Sequence, residues 1–287
     1  MRKSLFPVPT VVAALFVIWY AMSVVLNAPW AYDRAKRAGV ELSFSELVAD
    51  TWAQDKPKLP APHQVAVELW NTTVEKKITS KRSLVFHSGV TLSSTLLGFV
   101  LGTVLGIGLA VGIVYNRVMD MSVMPWVIAS QTIPILAIAP MIIVVLNAVG
   151  ISGLLPKAII SMYLSFFPVV VGMVKGLRSP DMMQLDQMRT WNATGGQQFW
   201  KLRLPSSMPY LFASLKIAMA ASLVGAIVGE LPTGAVAGLG ARLLAGSYYG
   251  QTIQIWSALI MAAALAAGLV ALIGVVQRVT LKRMGMA

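Results

Sequence analysis

Cysteine is absent, and only two histidines occur, His63 and His87. The first absence excludes disulfides, thiolate chemistry and Cys-ligated metals. Two separated histidines without carboxylate partners read as structural rather than ligating. Charge is also scarce, at 12% of residues, about half the usual share in a globular protein. Acid is scarcest, with 11 Asp and Glu against 23 Lys and Arg. A basic balance can mark nucleic-acid binding, but no basic stripe with base-stacking aromatics is present, so nucleic acid is not an expected partner. Nucleotide and catalytic signatures are missing too. Without G-x-x-x-x-G-K-[ST] the chain does not cradle nucleotide phosphates. Without H-E-x-x-H or G-x-S-x-G it has no signature of metalloprotease or acyl-transfer chemistry. Gly106-x-Gly108-x-x-x-Gly112 lacks the dinucleotide-binding spacing. Nor is there a long row of acids and bases inside apolar stretches, as proton-coupled transport would need. The chain is therefore expected to be no enzyme and to carry no metal or cofactor of its own. Any uphill transport would draw its energy from another subunit.

What remains is hydrophobic, 57% of the chain. A helix needs about 20 apolar residues to cross a bilayer, and six stretches qualify. They run at Val8–Leu26 and about Gly89–Tyr115, Val123–Leu146, Leu154–Val174, Tyr210–Val228 and Ile253–Val276. The first is longer than the apolar part of a signal peptide. Its exit, Leu26-Asn27-Ala28-Pro29, offers no small-x-small cleavage site, so it reads as a retained anchor. The Lys/Arg bias of short loops puts the N-terminus inside. Inside segments then carry Arg2, Lys3, Arg117, Lys175, Arg178, Arg189, Lys201, Arg203, Arg278, Lys282 and Arg283, and short outside loops only Lys157 and Arg242. Six spans return the C-terminus to the cytoplasm.

The expected organisation is an anchor (1–27), an external segment (28–86) and a five-helix core (87–287) with a cytoplasmic loop at 175–208. In the external segment, Pro57-Lys-Leu-Pro60-Ala-Pro62 is an extended break. Val65, Leu69 and Thr72, with Val67 and Trp70, then predict a short amphipathic helix suited to a membrane interface. Span two carries Gly98-x-x-x-Gly102-x-x-x-Gly106 and Ala110, a small-residue face for close helix packing. Span three is expected to be broken by Pro125, Pro134 and Pro140, whose freed carbonyls need partners or a water-lined cavity. Its polar triplet Ser130-Gln131-Thr132, with Pro134, is a candidate lining of a translocation path or an interhelical hydrogen-bonding group. Glu230, before Leu231-Pro232-Thr233-Gly234 and Gly238-Leu239-Gly240, is a further path candidate. Its neighbour Arg242 suggests a structural ion pair instead.

The loop is the most informative segment. Ser179 with Pro180 at N1 is expected to start a helix holding Met182, Leu185, Met188 and Arg189. Asn192 tolerates a left-handed conformation and can stop it. Thr194 can cap a second helix with Phe199 and Leu202, ended before Pro205. Trp191, Phe199 and Trp200 gather near the turn, where aromatic knobs suit a groove on another protein.

This loop resembles the cytoplasmic motif of ABC importer permeases: Glu-Ala-Ala, three residues, Gly, nine residues, Ile-x-Leu-Pro. Alignment on Leu204-Pro205 puts Leu202 at Ile, Asn192 at Gly and Asp186-Gln187-Met188 at Glu-Ala-Ala, with the spacing intact. Arg189, Ala193 and Phe199 also match common occupants. Leu59-Pro-Ala-Pro-His-Gln-Val65, Ile133-Pro134 through Pro140, and Gly229-Glu230 with Gly238-Leu239-Gly240 resemble the nitrate/sulfonate/taurine branch. The resemblance covers about 58–280, leaving 28–57 as an insertion. It implies an all-α type I importer permease fold with about six transmembrane helices in the inner membrane. It also implies a second permease copy, a periplasmic solute-binding protein and cytoplasmic ABC ATPase subunits that bind the ATP. The ATPase would dock on Asp186, Gln187, Met188, Arg189, Trp191, Asn192, Ala193, Phe199, Leu202, Leu204 and Pro205. The solute would be a sulfonate, nitrate or pyrimidine-like compound. From the residues alone, a stand-alone secondary transporter or channel, or a scaffold whose loop recruits a partner, stays open.

Overall fold

The computed structural model describes residues 7–231 and 236–286. Arg2 and Lys3, used above for orientation, and Pro232-Thr233-Gly234 lie outside the described residues. The secondary structure found is helical: α1 (Pro7–Ala38), α2 (Phe44–Ala53), α3 (Pro62–Trp70), α4 (Leu84–Tyr115), α5 (Arg117–Ala129), α6 (Ile135–Ala148), α7 (Leu154–Leu177), α8 (Met182–Thr190), α9 (Gly195–Gln198), α10 (Leu204–Glu230), α11 (Leu239–Tyr248) and α12 (Thr252–Arg283). Among the described residues, five helical stretches are long and apolar enough to cross a membrane, and α5 with α6 makes a sixth if that bent pair is one span.

Span three is where the structure departs most from expectation. The break is single. Ser130–Thr132 forms one 3₁₀ turn, and Pro134 is the N-cap of α6. The two helices meet at 101°. Pro125 and Pro140 lie inside α5 and α6 without ending them. The difference is positional: at a helix entrance the missing proline N–H leaves nothing unpaired, so that is where the chain turns. The freed Ser130 carbonyl is not left bare, because the Tyr163 hydroxyl of α7 donates to it.

The chain forms two units. One comprises the segment up to His87 together with Ala241–Ala262, and the other Ser88–Gly240 with the segment from Ala263. In the first, α1 outruns the expected Val8–Leu26 and ends with Lys36 and Arg37 in its last turn, where cations suit the helix dipole. Asn27 is fully buried. Its Oδ1 accepts from the Lys58 and Leu59 amides at 2.8 and 3.2 Å, and its Nδ2 donates to the Leu59 carbonyl at 2.8 Å. Trp19 Nε1 donates to the Pro60 carbonyl at 2.9 Å, and its ring lies 5.0 Å from that of Trp256. Residues 58–60, just after the expected insertion, are thus held on α1. The expected amphipathic helix is α3, with Val65 buried and Val67 and Trp70 exposed. His63 stacks on Tyr20, and His87 hydrogen-bonds the Lys81 carbonyl.

In the second unit α7 is central. The small-residue face of α4 lies on it. A Cβ added at Gly98 would sit 2.7 Å from the Ala158 carbonyl oxygen, and one at Gly106 would sit 2.7 Å from Val169 Cβ. On the other side, a Cβ at Gly225 of α10 would sit 2.7 Å from Ser161 Cα. Backbones this close exclude side chains but let hydroxyls reach across. Ser161 Oγ and Ser222 Oγ lie 2.6 Å apart, and Ser222 Oγ donates to the Thr95 carbonyl at 2.8 Å. Three helices are laced through one buried polar line. Further along these helices pack Ile113, Phe166, Val169, Val170, Met173, Leu177 and Leu211. Phe212 and Met219 of α10 pack against Leu269 and Ile273 of α12.

Candidate functional site

The loop between α7 and α10 folds as two helices around a turn, with two changes at its ends. Its first helix does not begin at Pro180. Asp181 is the N-cap of α8, and its amide donates to Gln184 Oε1 at 3.2 Å. Aspartate followed three residues later by Gln is a stronger start than Ser-Pro, because the side chain of each can serve a free amide of the first turn. The stop is as expected. Asn192 has φ of 52°, the one left-handed non-glycine among the described residues. The Ala193 amide donates to the Met188 carbonyl at 3.0 Å and the Asn192 amide to the Arg189 carbonyl at 2.8 Å. Those two bonds are the Schellman closure of a helix. Asn192→Gly should therefore leave the turn intact. Asn192→Val should cost about 1–2 kcal/mol locally, read as faster hydrogen exchange of amides 191–198.

Thr194 caps the second helix. Its Oγ1 accepts from the Gln197 amide at 3.3 Å, and its own amide donates to Gln197 Oε1 at 2.9 Å. That helix does not end before Pro205. It passes through a π turn at Phe199–Arg203 straight into α10, with Pro205 in its first turn. In the π turn the Leu204 amide reaches back to the Phe199 carbonyl. A wider turn relieves the clash a proline ring makes with the preceding carbonyl, so the proline is absorbed.

The expected loop residues divide by exposure. Asp186, Gln187, Arg189, Trp191 and Asn192 are exposed, whereas Met188, Ala193, Phe199, Leu202, Leu204 and Pro205 are half-buried. Asp186 and Arg189 pair with each other at 2.9 Å on the surface, a contact worth little by itself. Phe199 and Leu204 pack on the α7 core cluster. Trp191 and Trp200 stand out, 69% and 67% exposed, with Met182 and Met183 as bare. Two residues were missed at the sequence level. Arg203 donates to the Leu177 carbonyl at 2.9 Å, capping α7, and its guanidinium lies 5.8 Å over the Tyr115 ring. Tyr115 meets Phe199 edge-on. A cation directly before Leu204-Pro205-Ser206-Ser207-Met208 carries no sign of its partner, so only tertiary structure reveals this rivet.

The path candidates are not gathered in one place. Ser130 is half-buried, and Gln131, Thr132 and Pro134 are exposed at the α5–α6 break. Glu230 is fully buried at the end of α10. Its expected partner Arg242 is replaced by others. Thr91 Oγ1 lies 3.0 Å from both carboxylate oxygens, and the Gly240 amide donates to Oε2 at 2.8 Å. Thr91 Oγ1 also accepts from the Leu239 amide at 2.8 Å. The carboxylate thus ties α4 to the start of α11. Gly238, at φ +125°, sits where any Cβ would strike that carboxylate. Glu230→Ala should take this acceptor away from the buried Gly240 amide and the Thr91 hydroxyl and cost about 3 kcal/mol. Glu230→Gln keeps an acceptor and should cost less than half as much. Thermal unfolding of the two variants measures the difference.

A family model described as "Binding-protein-dependent transport system inner membrane component" matches residues 102–286. That is more than half the chain and includes the whole loop. The chain belongs to this family. It is a multi-pass membrane permease subunit of the ABC importer kind, and the family's members are transport permeases rather than enzymes. The formylaminopyrimidine transport permease protein ThiX of Halalkalibacterium halodurans is 35% identical over 63% of this chain and 68% of its own. The riboflavin transport system permease protein RibX of Chloroflexus aurantiacus is 34% identical over 78% of this chain and 80% of its own. An inward-facing MetNI methionine ABC transporter structure matches with a TM-score of 0.51 at 21% identity, over 77% of this chain and 96% of that one. The expected fold class, an all-α type I importer permease, is the fold found.

Proposed function

We propose that this permease forms the translocation pathway for a small organic solute and is driven through residues 180–205 by a cytoplasmic ABC ATPase. One observation carries the reading. The stretch Gly195–Glu230 is a single helical path from the exposed loop into a span, so a push on the loop reaches the membrane without a hinge. ATP-driven closure of the ATPase would then bias the helices between outward and inward access, a two-state element controlled by a ligand on another chain. In this reading both termini face the cytoplasm and residues 28–86 lie outside, after an anchor at 1–27. A second permease copy completes the pathway within a core of residues 87–287, and a periplasmic binding protein delivers the solute.

For the solute, a neutral nitrogen heterocycle is favoured over sulfonate or nitrate. The path candidates Ser130, Gln131 and Thr132 offer hydrogen bonds without charge. The two relatives above carry the names of a pyrimidine and of riboflavin. The test is reconstitution in liposomes with the cognate ATPase and binding protein. Uptake should require ATP, and the ATPase should co-purify with the full chain. Uptake by the chain alone without ATP would establish a channel or secondary transporter. No uptake even with every partner present would leave a scaffold.

A further inference from the structure

A cavity of about 470 Å³ in the first unit is walled by polar and charged side chains alone. In a chain this hydrophobic, such a wall is not a by-product of packing. The cavity is bounded by Glu68 on α3, by the π turn Asn71–Glu75, by Lys76 and Arg82, and by Arg242 on α11. π turns recur at functional sites because they displace side chains from the regular helix face. Of two further walls, Gln251 immediately precedes α12 and Gln254 lies in its first turn, and Arg82 precedes α4 by two residues. Both helices are candidate spans. The cavity therefore lies where spans begin, at the depth of lipid headgroups.

Its charges are not resolved internally. Three cations, Lys76, Arg82 and Arg242, face two carboxylates, Glu68 and Glu75. The ion pairs among the described residues, Arg34–Asp50, Arg178–Asp120 and Arg189–Asp186, involve none of them. Burial holds the Arg242 guanidinium below its usual value, and the like charge of Arg82 adds to this against the pull of Glu68. Burial likewise pushes the Glu68 carboxyl up, despite Arg242 and Lys76. A partly desolvated guanidinium beside a second one is costly until an anion lies between them. Guanidinium forks match the paired oxygens of phosphate and sulfonate groups. Three cations against two carboxylates favour a ligand of single negative charge.

We propose that this cavity binds a singly charged oxyanion, held between Arg82 and Arg242 with the Gln251 and Gln254 amides beside it. The oxyanion has two possible sources, a free sulfonate- or phosphate-type anion distinct from the transported solute and the phosphodiester of an anionic lipid. The inference does not depend on the coupling role of the loop. The test uses the full chain purified and delipidated in detergent, with wild type, Arg82→Gln and Arg242→Gln side by side. Arg82 is exposed, so its variant should fold even if the Arg242 variant does not. In one arm, methanesulfonate is compared with chloride at equal ionic strength; a free-anion site raises the wild-type Tm by about 2–4 °C. In the other arm, native mass spectrometry follows phosphatidylglycerol added back; a lipid site retains it in wild type and loses it at least tenfold in the variants. A signal in either arm that disappears in Arg82→Gln supports the site and names its source. Neither signal in wild type, or a signal unchanged in Arg82→Gln, overturns it.

Discussion

Gly225→Leu is expected to destabilise the permease strongly, whereas Gly108→Leu on α4 is expected to be tolerated. Gly225 faces backbone: a Cβ there would lie 2.7 Å from Ser161 Cα and 3.0 Å from the Ile160 carbonyl oxygen. Neither atom belongs to a flexible side chain that can swing away. Relief requires α10 to move off α7. That movement breaks the Ser161–Ser222 contact and, through Ser222, the bond to the Thr95 carbonyl of α4. Nor can α7 retreat, because Gly98 of α4 holds its other side near Ala158 and Ser161. The substitution therefore meets a core fixed from two directions, and overpacking costs rise to about 3 kcal/mol or more in such places. Against a total stability of about 5–15 kcal/mol, that is a large fraction, so the variant should unfold at a clearly lower Tm and yield less monodisperse protein. Gly108 has nothing within 4 Å of an added Cβ, so its Leu variant controls for bulk in an apolar helix. Size-exclusion profiles and thermal unfolding in detergent decide it.

This seam shows what a sequence reveals and what it withholds. The Gly98, Gly102 and Gly106 repeat announces a packing face, because spacing by four is a property of one helix. Its partner is invisible, because Ser161 and Ser165 acquire meaning only when α7 is laid against α4. The same division runs through the loop. Asn192 and Thr194 could be read, since a left-handed stop and a capping threonine act on their own neighbours. The continuation through Pro205 could not. Proline normally argues for an end, and only the π turn before it removes that argument. Proximity in sequence pairs Glu230 with Arg242, twelve positions on, whereas its hydroxyl partner Thr91 is 139 positions back. Local rules supply elements and caps; they do not supply which distant polar group fills a buried carboxylate's needs. The half-buried Arg242 reads as a loop charge for the same reason, and the cavity it shares with Arg82 exists only in the fold.

Removing the two exposed tryptophans should separate ATPase coupling from folding. Trp191 closes the end of α8, and Trp200 sits in the π turn that feeds α10. Both present most of their surface to solvent, and Trp200 touches only the edge of Phe199 among the ring contacts described. Truncating an exposed tryptophan removes little packing, so the Tm of Trp191→Ala and Trp200→Ala should stay within about 2 °C of wild type. Docking is different. Buried by a partner, a tryptophan anchor is worth about 2 kcal/mol or more, roughly a 30-fold loss of affinity per residue. The double variant should then fail to retain the ATPase through purification. Any ATPase that does bind should hydrolyse ATP without uptake, since the path from loop to α10 is no longer engaged. Tyr248→Ala is the control, because Tyr248 is as exposed as either tryptophan but belongs to α11 rather than to the loop. Affinity of the cognate ATPase for each variant in nanodiscs, with coupled uptake alongside, gives the result. Wild-type retention in the double variant would move the docking surface off the aromatic knobs and onto the Asp186–Arg189 face of α8.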